Sequence, residues 1–355
     1  MINKFAFIFI VIISGVGCST YQGETLTNIS SEGYSNSEKI YENLNIHDFM
    51  FNTDKLIKTD KKPCRIKYHT LYSTYRNIIV EGTFGTNTEK HPVILDTGAS
   101  QPVVLNAKHV RKCNLPIYGI DGVNTNSNEN QPGFCQLPKL SIGEVTLEGW
   151  PCIFFASNKK LNLFGIPIAS STYGMDNIIL GLPLLREFKY ITFDNINKEA
   201  ELSYYQSFEP DSPEGWKKYP IFIEEDFHGN AFLFVRLIVE GYETELQLDT
   251  GSGRGLAASE VLWENINNGL RKLKLKKGKE NYPYIGNLPC KKGKISNLEF
   301  GNRTINNAEI AVFKDDCPLL DGCDGLVGMQ YFSNTVFVLD FENDLMWVKE
   351  QDNLK

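Results

Sequence analysis

The sequence has few of the side chains that hold metal ions. Its five histidines are scattered along the chain, and no two of its cysteines are separated by just two residues. The spacing between Cys317 and Cys323 does not match that of a zinc-binding cysteine pair either. These absences argue against a metal site.

An excess of positive charge is also missing. The 355 residues include 36 Lys and Arg against 43 Asp and Glu, so the formal net charge is −7. A nucleic-acid partner is therefore not expected, because such partners are bound by basic surfaces. The densest basic stretch, LRKLKLKKGK at residues 270–279, is interpreted as a solvated loop or as the edge of a flap.

Long apolar runs are missing outside the N-terminus. One Lys precedes an apolar run at residues 5–13, and small residues then follow up to Cys18. This pattern predicts a secretory signal peptide at residues 1–17, which is too short to span a membrane comfortably.

The small residues before Cys18 resemble the lipobox of bacterial lipoproteins, although Gly15 stands where that motif commonly has Leu. The resemblance implies cleavage before Cys18, lipidation of its thiol and a membrane-anchored protein. Ser19, directly after Cys18, resembles the residue that directs lipoproteins to the outer membrane. The predicted location is therefore the outer membrane or periplasm of a bacterium. Ordinary cleavage near the same position and an uncleaved anchor are the alternatives.

Residues 18–65 are rich in Ser, Asn, Glu, Thr and Lys, with few apolar clusters. This composition predicts a flexible tether, and a propeptide whose cations at residues 54–62 cover an active site is the alternative.

Seven cysteines follow Cys18. Export favours disulfides, but the odd number allows at most three bridges and leaves the pairing open.

The chain then repeats itself. NIIVEGTF at residues 77–84 returns as RLIVEGYE at 236–243, and each copy leads into an apolar run that ends in Asp-Thr-Gly, at 96–98 and 249–251. The connection is six residues longer in the first copy. Residues 140–155 likewise match 298–313, and 177–188 match 324–335. We interpret the repeat as two homologous lobes.

The predicted lobes are residues 66–205 and 220–355, joined by a linker at 206–219 whose Pro, Gly and mixed charges are typical of a connection. Strand-like runs dominate both. Short helices are predicted near residues 107–111, 182–188 and 259–270. The fold class is therefore mainly β, with two lobes.

The doubled Asp-Thr-Gly, each followed about 80 residues later by two apolar residues and Gly, resembles the aspartic peptidases. The presence of two lobes in one chain resembles the pepsins, while the short lobes and the segment VILDTGAS look more like bacterial retropepsin-type proteins. The resemblance implies a monomer with a pseudo-twofold axis that binds a protein or peptide substrate between its lobes. A retropepsin-type dimer is the alternative.

By the same resemblance Asp96 and Asp249 form the catalytic pair. Two adjacent carboxyl groups cannot both ionise easily, and aspartic peptidases are the standard example of such a pair sharing one proton. One member then activates a water molecule while the other donates a proton to the peptide carbonyl. This chemistry requires no metal and no cofactor. A non-catalytic binding or sensing protein on the same fold is the second hypothesis.

The resemblance also assigns supporting roles. Thr97 and Thr250 are expected to lock the two Asp loops together, Gly98 and Gly251 to permit their tight turns, and Gly181 and Gly328 to permit close approach from behind. Ser252 follows the second triplet where Ala99 follows the first. Because a hydroxyl donor lowers a carboxyl pKa, we hypothesise that Asp249 is the more readily ionised member.

Flaps are expected over the cleft. The candidates are the Gly-rich segments at residues 118–134 and 277–287, in which Tyr118, Tyr282 and Tyr284 are candidate flap tyrosines. Each of these is otherwise an ordinary packed or surface Tyr.

Overall fold

The structure is a computed structural model that describes residues 41–44, 53–86, 88–120, 133–155, 160–163, 166–170, 177–226, 229–267, 273–282, 286–301, 303–320 and 323–350. The predicted signal peptide, Cys18 and most of the predicted tether lie outside the described residues. Tyr284 and most of the first flap candidate do so as well.

The fold is mainly β, which confirms the predicted fold class. The strands of the N-terminal half are β1 (Tyr41–Leu44), β2 (Leu56–Lys58), β3 (Cys64–Lys67), β4 (Ile79–Phe84), β5 (Lys90–Asp96), β6 (Val103–Asn106), β7 (Tyr118–Ile120), β8 (Gly133–Gln136), β9 (Leu140–Ile142), β10 (Val145–Glu148), β11 (Pro151–Phe155), β12 (Lys160–Leu163), β13 (Ile166–Ser170), β14 (Ile178–Gly181), β15 (Tyr190–Asp194) and β16 (Glu199–Ser203). Those of the C-terminal half are β17 (Trp216–Glu225), β18 (Ala231–Val239), β19 (Tyr242–Asp249), β20 (Leu256–Ser259), β21 (Lys276–Tyr282), β22 (Gly286–Phe300), β23 (Arg303–Phe313), β24 (Gly325–Gly328), β25 (Thr335–Asp340) and β26 (Leu345–Glu350).

Helices in the described part of the chain are short. They are α-helices at Tyr72–Tyr75, Ala107–Lys112, Leu182–Leu185 and Glu260–Asn267, and 3₁₀ helices at Pro318–Leu320 and Met329–Phe332. The three predicted helical regions each contain one of them, whereas Tyr72–Tyr75 was not predicted. That turn has no capping side chain and ends at Arg76 with a φ of 66°, so it gives little sequence signal.

The two halves repeat the same strand arrangement around their Asp-Thr-Gly triplets. Among the described residues, one large sheet has 11 strands and the other 13. In the first, β14 is parallel to β5 on one side and antiparallel to β6 on the other. In the second, β24 has the same relation to β19 and β20. All four residues of β14 and of β24 are buried, which explains their uninterrupted apolar sequence.

The 13-stranded sheet also joins the two halves, because β15 pairs antiparallel with β25 and Thr192 lies opposite Val338. These two residues are equivalent in the sequence repeat, in which Asp194 matches Asp340. The pseudo-twofold axis that relates the halves therefore passes between Thr192 and Val338.

The core at this axis is aromatic. Phe193 stacks on Phe337 with ring centroids 4.8 Å apart, and both rings are fully buried. The turns beyond the two strands are equivalent as well, because the Asp194 and Asp340 carboxylates accept the backbone N–H of the residue three positions on, at 2.8 and 3.2 Å.

Part of the segment predicted as a tether lies on the first sheet. β2 pairs with β10 at the sheet edge, with Ile57 opposite Leu147. The Lys55 ammonium lies 5.5 Å from the ring centroid of Trp150. β1, which also falls within the predicted tether, pairs parallel with β7 in the same sheet. Strand pairing therefore reaches back to β1.

The two Ile-Val-Glu-Gly copies end differently. Each copy is a β-branched run that reaches a Gly, a pattern typical of a strand entering a hairpin, so both strands are expected to end there. In the second copy they do, because Glu240 and Gly241 form the turn with φ of 52° and 82°. In the first copy β4 continues through Gly82 to Phe84 and turns at Gly85. The six additional residues extend this hairpin.

None of the seven cysteines from Cys64 onward forms a disulfide in the described part of the chain, so the predicted bridges are not present there. Cys135 and Cys152 lie directly opposite each other on β8 and β11, and both are buried. None of the helices in the described ranges has the length and apolar character needed to cross a membrane.

Candidate active site

The two Asp-Thr-Gly triplets meet between the two halves of the molecule. Asp96 is the last residue of β5 and Asp249 the last of β19, so each carboxyl stands where a buried strand opens into a turn. The two carboxyl groups are hydrogen-bonded to each other. Asp249 is only 9% exposed, and the pair is therefore largely withdrawn from water.

Thr97 and Thr250 join the two turns by four reciprocal hydrogen bonds. The Thr97 hydroxyl donates to the Leu248 carbonyl at 2.5 Å, and the Thr250 hydroxyl donates to the Leu95 carbonyl at 2.7 Å. Each hydroxyl also accepts the backbone N–H of the opposite Thr, at 3.0 and 3.1 Å. Both side chains are fully buried, so this network holds the two Asp strands in a fixed relation.

Each triplet glycine packs against the carboxyl of the opposite triplet. A Cβ added at Gly98 would lie 2.5 Å from Asp249 Cγ, and one added at Gly251 would overlap the Asp96 carboxyl group. Neither glycine has a positive φ. Glycine is thus required at these positions for close approach of the two turns, rather than for the unusual backbone conformation that the sequence suggested.

The two apolar-apolar-Gly segments pass directly behind the triplets. Gly181 lies opposite Asp96 in the parallel pair of β14 and β5, and Gly328 lies opposite Asp249 in the pair of β24 and β19. A Cβ on either glycine would come within 2.6–2.7 Å of the carbonyl oxygen of the residue that follows the triplet. The next residue of each segment donates its N–H to that same carbonyl, at 3.0 and 2.7 Å.

The surroundings of the two carboxyl groups are unequal. Asp96 Oδ1 accepts the Gly98 N–H at 2.8 Å and the Ala99 N–H at 3.2 Å. Asp249 Oδ1 is buried and accepts no hydrogen bond from the described residues. Two N–H donors stabilise a negative charge on Asp96. The N–H groups of Gly251 and Ser252 also act on Asp249 and lower its pKa, but neither forms a hydrogen bond with its Oδ1.

The pKa values follow this asymmetry. Burial raises the pKa of Asp96, and its hydrogen bonds with Asp249 and with backbone N–H groups counteract that rise. Burial raises the pKa of Asp249 well above its usual range and the adjacent negative charge of Asp96 raises it further, while the backbone N–H groups of Ser252 and Gly251 offset only part of this rise. The pKa of Asp249 is thus raised more strongly than that of Asp96, a direction that favours the shared proton on Asp249.

These pKa directions run against the hypothesis that Asp249 ionises more readily. It required the Ser252 hydroxyl to donate to Asp249, but no hydrogen bond between these two side chains is present among the described residues. The Ser252 hydroxyl instead accepts the Arg254 N–H at 3.3 Å. One triplet is followed by Ser and the other by Ala, but this difference is not the cause of the unequal pKa values of the two carboxyl groups.

A cleft of about 1030 Å³ opens beside the carboxyl pair and is lined by Gly251 and Ser252 and by residues of the β21–β22 hairpin. This hairpin is the second flap candidate. Its Tyr282 lines the cleft and is 6% exposed. Burial raises the pKa of Tyr282, and the negative charge of nearby Asp249 adds to the rise. The side chain of Tyr118 lies outside the described residues.

Two features of the site were not predicted. Arg254, just after the second triplet, forms an ion pair of 3.2 Å with Glu280 on β21, and so ties the triplet loop to the hairpin. Gln247 is buried and donates its side-chain N–H to the Gly98 carbonyl at 3.3 Å, across the interface of the halves. The position of Gln247 inside the apolar run ELQLDTG was a sequence signal for its buried hydrogen bond. Nothing in the sequence indicates the ion pair of Arg254 with Glu280.

The described residues contain no group of three or more His, Cys, Asp or Glu side chains arranged to hold a metal ion. The polar groups at the site are instead the carboxyl pair and its hydrogen-bond donors. Such an arrangement can hold and transfer a single proton.

No protein-family model and no curated protein matches the chain. Among solved structures, the aspartic proteinase from Irpex lacteus is similar at 9% identity, with 82% of this chain and 98% of that chain covered and a TM-score of 0.44. A retropepsin-like aspartic protease from Rickettsia conorii is similar at 18% identity, with 38% of this chain and 93% of that chain covered and a TM-score of 0.26. Scores this low support no conclusion about function.

Proposed function

We propose that the protein is an aspartic endopeptidase. The observation that supports this function is the buried, hydrogen-bonded pair of Asp96 and Asp249, which stands between two halves and beside a cleft. The volume of the cleft is at the upper end of the range typical of ligand sites, about 300–1000 Å³, and suits an extended peptide.

In the proposed reaction the Asp96 carboxylate takes a proton from a water molecule whose oxygen attacks the peptide carbonyl carbon. Asp249 gives its proton to the carbonyl oxygen, so negative charge does not accumulate there. The tetrahedral intermediate then collapses as the C–N bond breaks. Asp96 gives the proton that it took from water to the leaving nitrogen, and one hydroxyl of the intermediate returns a proton to Asp249. The N–H groups of Gly98 and Ala99 hold the Asp96 carboxylate in place throughout.

The experiment that tests this function is a cleavage assay on the full chain with an unfolded protein as substrate, at about pH 3 to 7. We expect internal cleavage that pepstatin, a mimic of the tetrahedral intermediate, suppresses. Absence of cleavage across this range, with peptide binding retained, would instead identify a non-catalytic binding protein.

The pH dependence of kcat/KM is a second prediction. The reaction requires Asp96 ionised and Asp249 protonated, so activity falls at low pH as Asp96 gains a proton and at high pH as Asp249 loses one. Because burial raises both pKa values, both limbs of the profile should lie above the ordinary carboxyl pKa of about 4. The measurement is kcat/KM from about pH 3 to 9.

Ser252→Ala is the control for this profile. Its hydroxyl makes no hydrogen bond to Asp249 among the described residues, so the acid limb should not move. A shift of that limb in the variant would contradict the assignment of Asp96 as base and Asp249 as acid. A wild-type optimum below about pH 4 would contradict the raised pKa values of the pair.

We further propose that Cys18 carries a lipid that anchors the protein to a bacterial membrane. The support is the sequence alone, namely an apolar run and small residues that end at Cys18. The measurement is mass spectrometry of the N-terminal peptide of the mature chain. Its mass should include acyl chains in the wild type and should lack them in the Cys18→Ser variant. An unmodified N-terminus on the mature chain would contradict the anchor.

A further inference from the structure

The cleft beside the carboxyl pair is basic, although the whole chain is acidic. Five lysines line it, and they are named here the lysine wall: Lys274, Lys276, Lys277, Lys292 and Lys294. Arg76 and Arg254 line the cleft as well. The chain as a whole carries a formal charge of −7, so this concentration of cations is local to the cleft.

The β21–β22 hairpin places these lysines. Lys276 on β21 lies directly opposite Lys292 on β22, and Lys294 is two residues further along on the same face. Like charges directly opposite each other destabilise an antiparallel pair. The hairpin therefore keeps, beside the cleft, an arrangement of charges that does not favour its own folding.

Carboxylates in the cleft lining do not neutralise the lysine wall. The two acidic residues that line it are Glu280 and Glu309. Glu280 is already shared between Arg254 at 3.2 Å and Lys292 at 2.6 Å. Glu309 lies directly opposite Lys294 in the pairing of β22 with β23. Among the described residues, however, neither Lys276 nor Lys294 forms an ion pair with a carboxylate, and both lysines are exposed.

We propose that the cleft binds acidic polypeptide segments, so that the preferred substrate carries Asp or Glu residues beside the bond that is cut. The proposal rests on the proposed peptidase function, and it specifies the class of substrate. The lysine wall begins next to Gly251 and Ser252, which line the same cleft. An acidic side chain within a few residues of the scissile bond therefore meets ammonium groups.

The expected interaction is electrostatic and screened by salt. Exposed lysines make weak individual ion pairs, but several cations along one concave surface raise the local concentration of a negatively charged partner and its rate of association. The preference should therefore be large at low ionic strength and small at high ionic strength.

The test uses pairs of fluorogenic peptides that differ only by Glu→Gln near the scissile bond, on its N-terminal or its C-terminal side. Cleavage is measured as kcat/KM, and binding is measured separately by fluorescence anisotropy of the same peptides. At low salt we expect the acidic member of a pair to be favoured by about tenfold, and at about 0.5 M NaCl we expect the advantage to disappear.

The matched variants change the same amount of charge. Lys276→Glu/Lys294→Glu reverses two unpaired members of the lysine wall and should abolish or invert the preference. Lys279→Glu/Lys314→Glu reverses two lysines that do not line the cleft, and it should keep the preference. A loss of equal size in both double variants would overturn the proposal.

The two proposals fail in different ways. Equal cleavage and equal binding of both members of every pair would overturn the acidic preference and leave the peptidase function intact. Salt-sensitive preferential binding without cleavage would support the acidic cleft and overturn the peptidase function. Displacement of the acidic peptide by a single-stranded oligonucleotide at equal or lower concentration would overturn the assignment to polypeptides.

Discussion

Replacing Asp96 or Asp249 by Asn is expected to lower kcat/KM for peptide hydrolysis by about 10³-fold or more. Asn has the shape of Asp, so the amide oxygen of the Asp96→Asn variant can still accept the N–H groups of Gly98 and Ala99. The amide, however, can neither take a proton from water nor share one with the opposite carboxyl group. The measurement is steady-state cleavage of one peptide by each purified full-length variant.

The stability of the same variants separates a catalytic defect from an unfolded protein. A buried carboxyl whose pKa is raised on folding stabilises the folded state below its unfolded pKa, and this contribution is lost as the pH rises towards the folded pKa. Since the pKa of Asp249 is raised well above its usual range, Asp249→Asn should be at least as stable as the wild type at neutral pH. Thermal unfolding measured across the pH range checks this.

Asp344→Asn is the matched control for the chemical change. Asp344 is exposed and lies in a turn with a φ of 55°, a conformation that Asn adopts readily. This variant should cleave like the wild type. Cleavage that persists in Asp96→Asn or Asp249→Asn at the level of this control would refute the role of the pair.

The sequence predicted the site better than it predicted the chemistry within it. Asp96 and Asp249 could be identified because each ends an apolar strand and because the same elements recur at matched positions in both halves. Repetition of this kind indicates a repeated fold. The protonation of the pair could not be obtained in this way, since it depends on which backbone N–H groups point at Asp96 Oδ1.

Side-chain direction is the part that residue spacing leaves open. The basic stretch at residues 270–279 was interpreted as a solvated loop or a flap edge, and the structure places its later residues on β21 of the flap hairpin. Only the register with β22 shows that Lys276 lies opposite Lys292 and that both line the cleft. Contacts between strands that are distant in sequence cannot be derived from local pattern.

Thr250→Val is expected to lower the free energy of unfolding by about 2–4 kcal/mol, because it leaves two buried backbone groups without a partner. The Thr250 hydroxyl donates to the Leu95 carbonyl at 2.7 Å and accepts the Thr97 N–H at 3.0 Å. Val preserves the volume of the side chain, so the loss reports hydrogen bonding rather than a cavity. Chemical denaturation of the full chain measures it.

Thr250→Ser provides the control, since it keeps the hydroxyl and removes one methyl group, at a cost of about 1 kcal/mol. Thr97→Val should behave like Thr250→Val, because its hydroxyl makes the same two contacts with the opposite turn. The double Val variant should lose less than the sum of the single losses, since residues in one hydrogen-bond network are coupled. A Ser variant as unstable as the Val variant would show that the loss does not come from the hydroxyl, and so that the hydroxyls do not hold the Asp strands together.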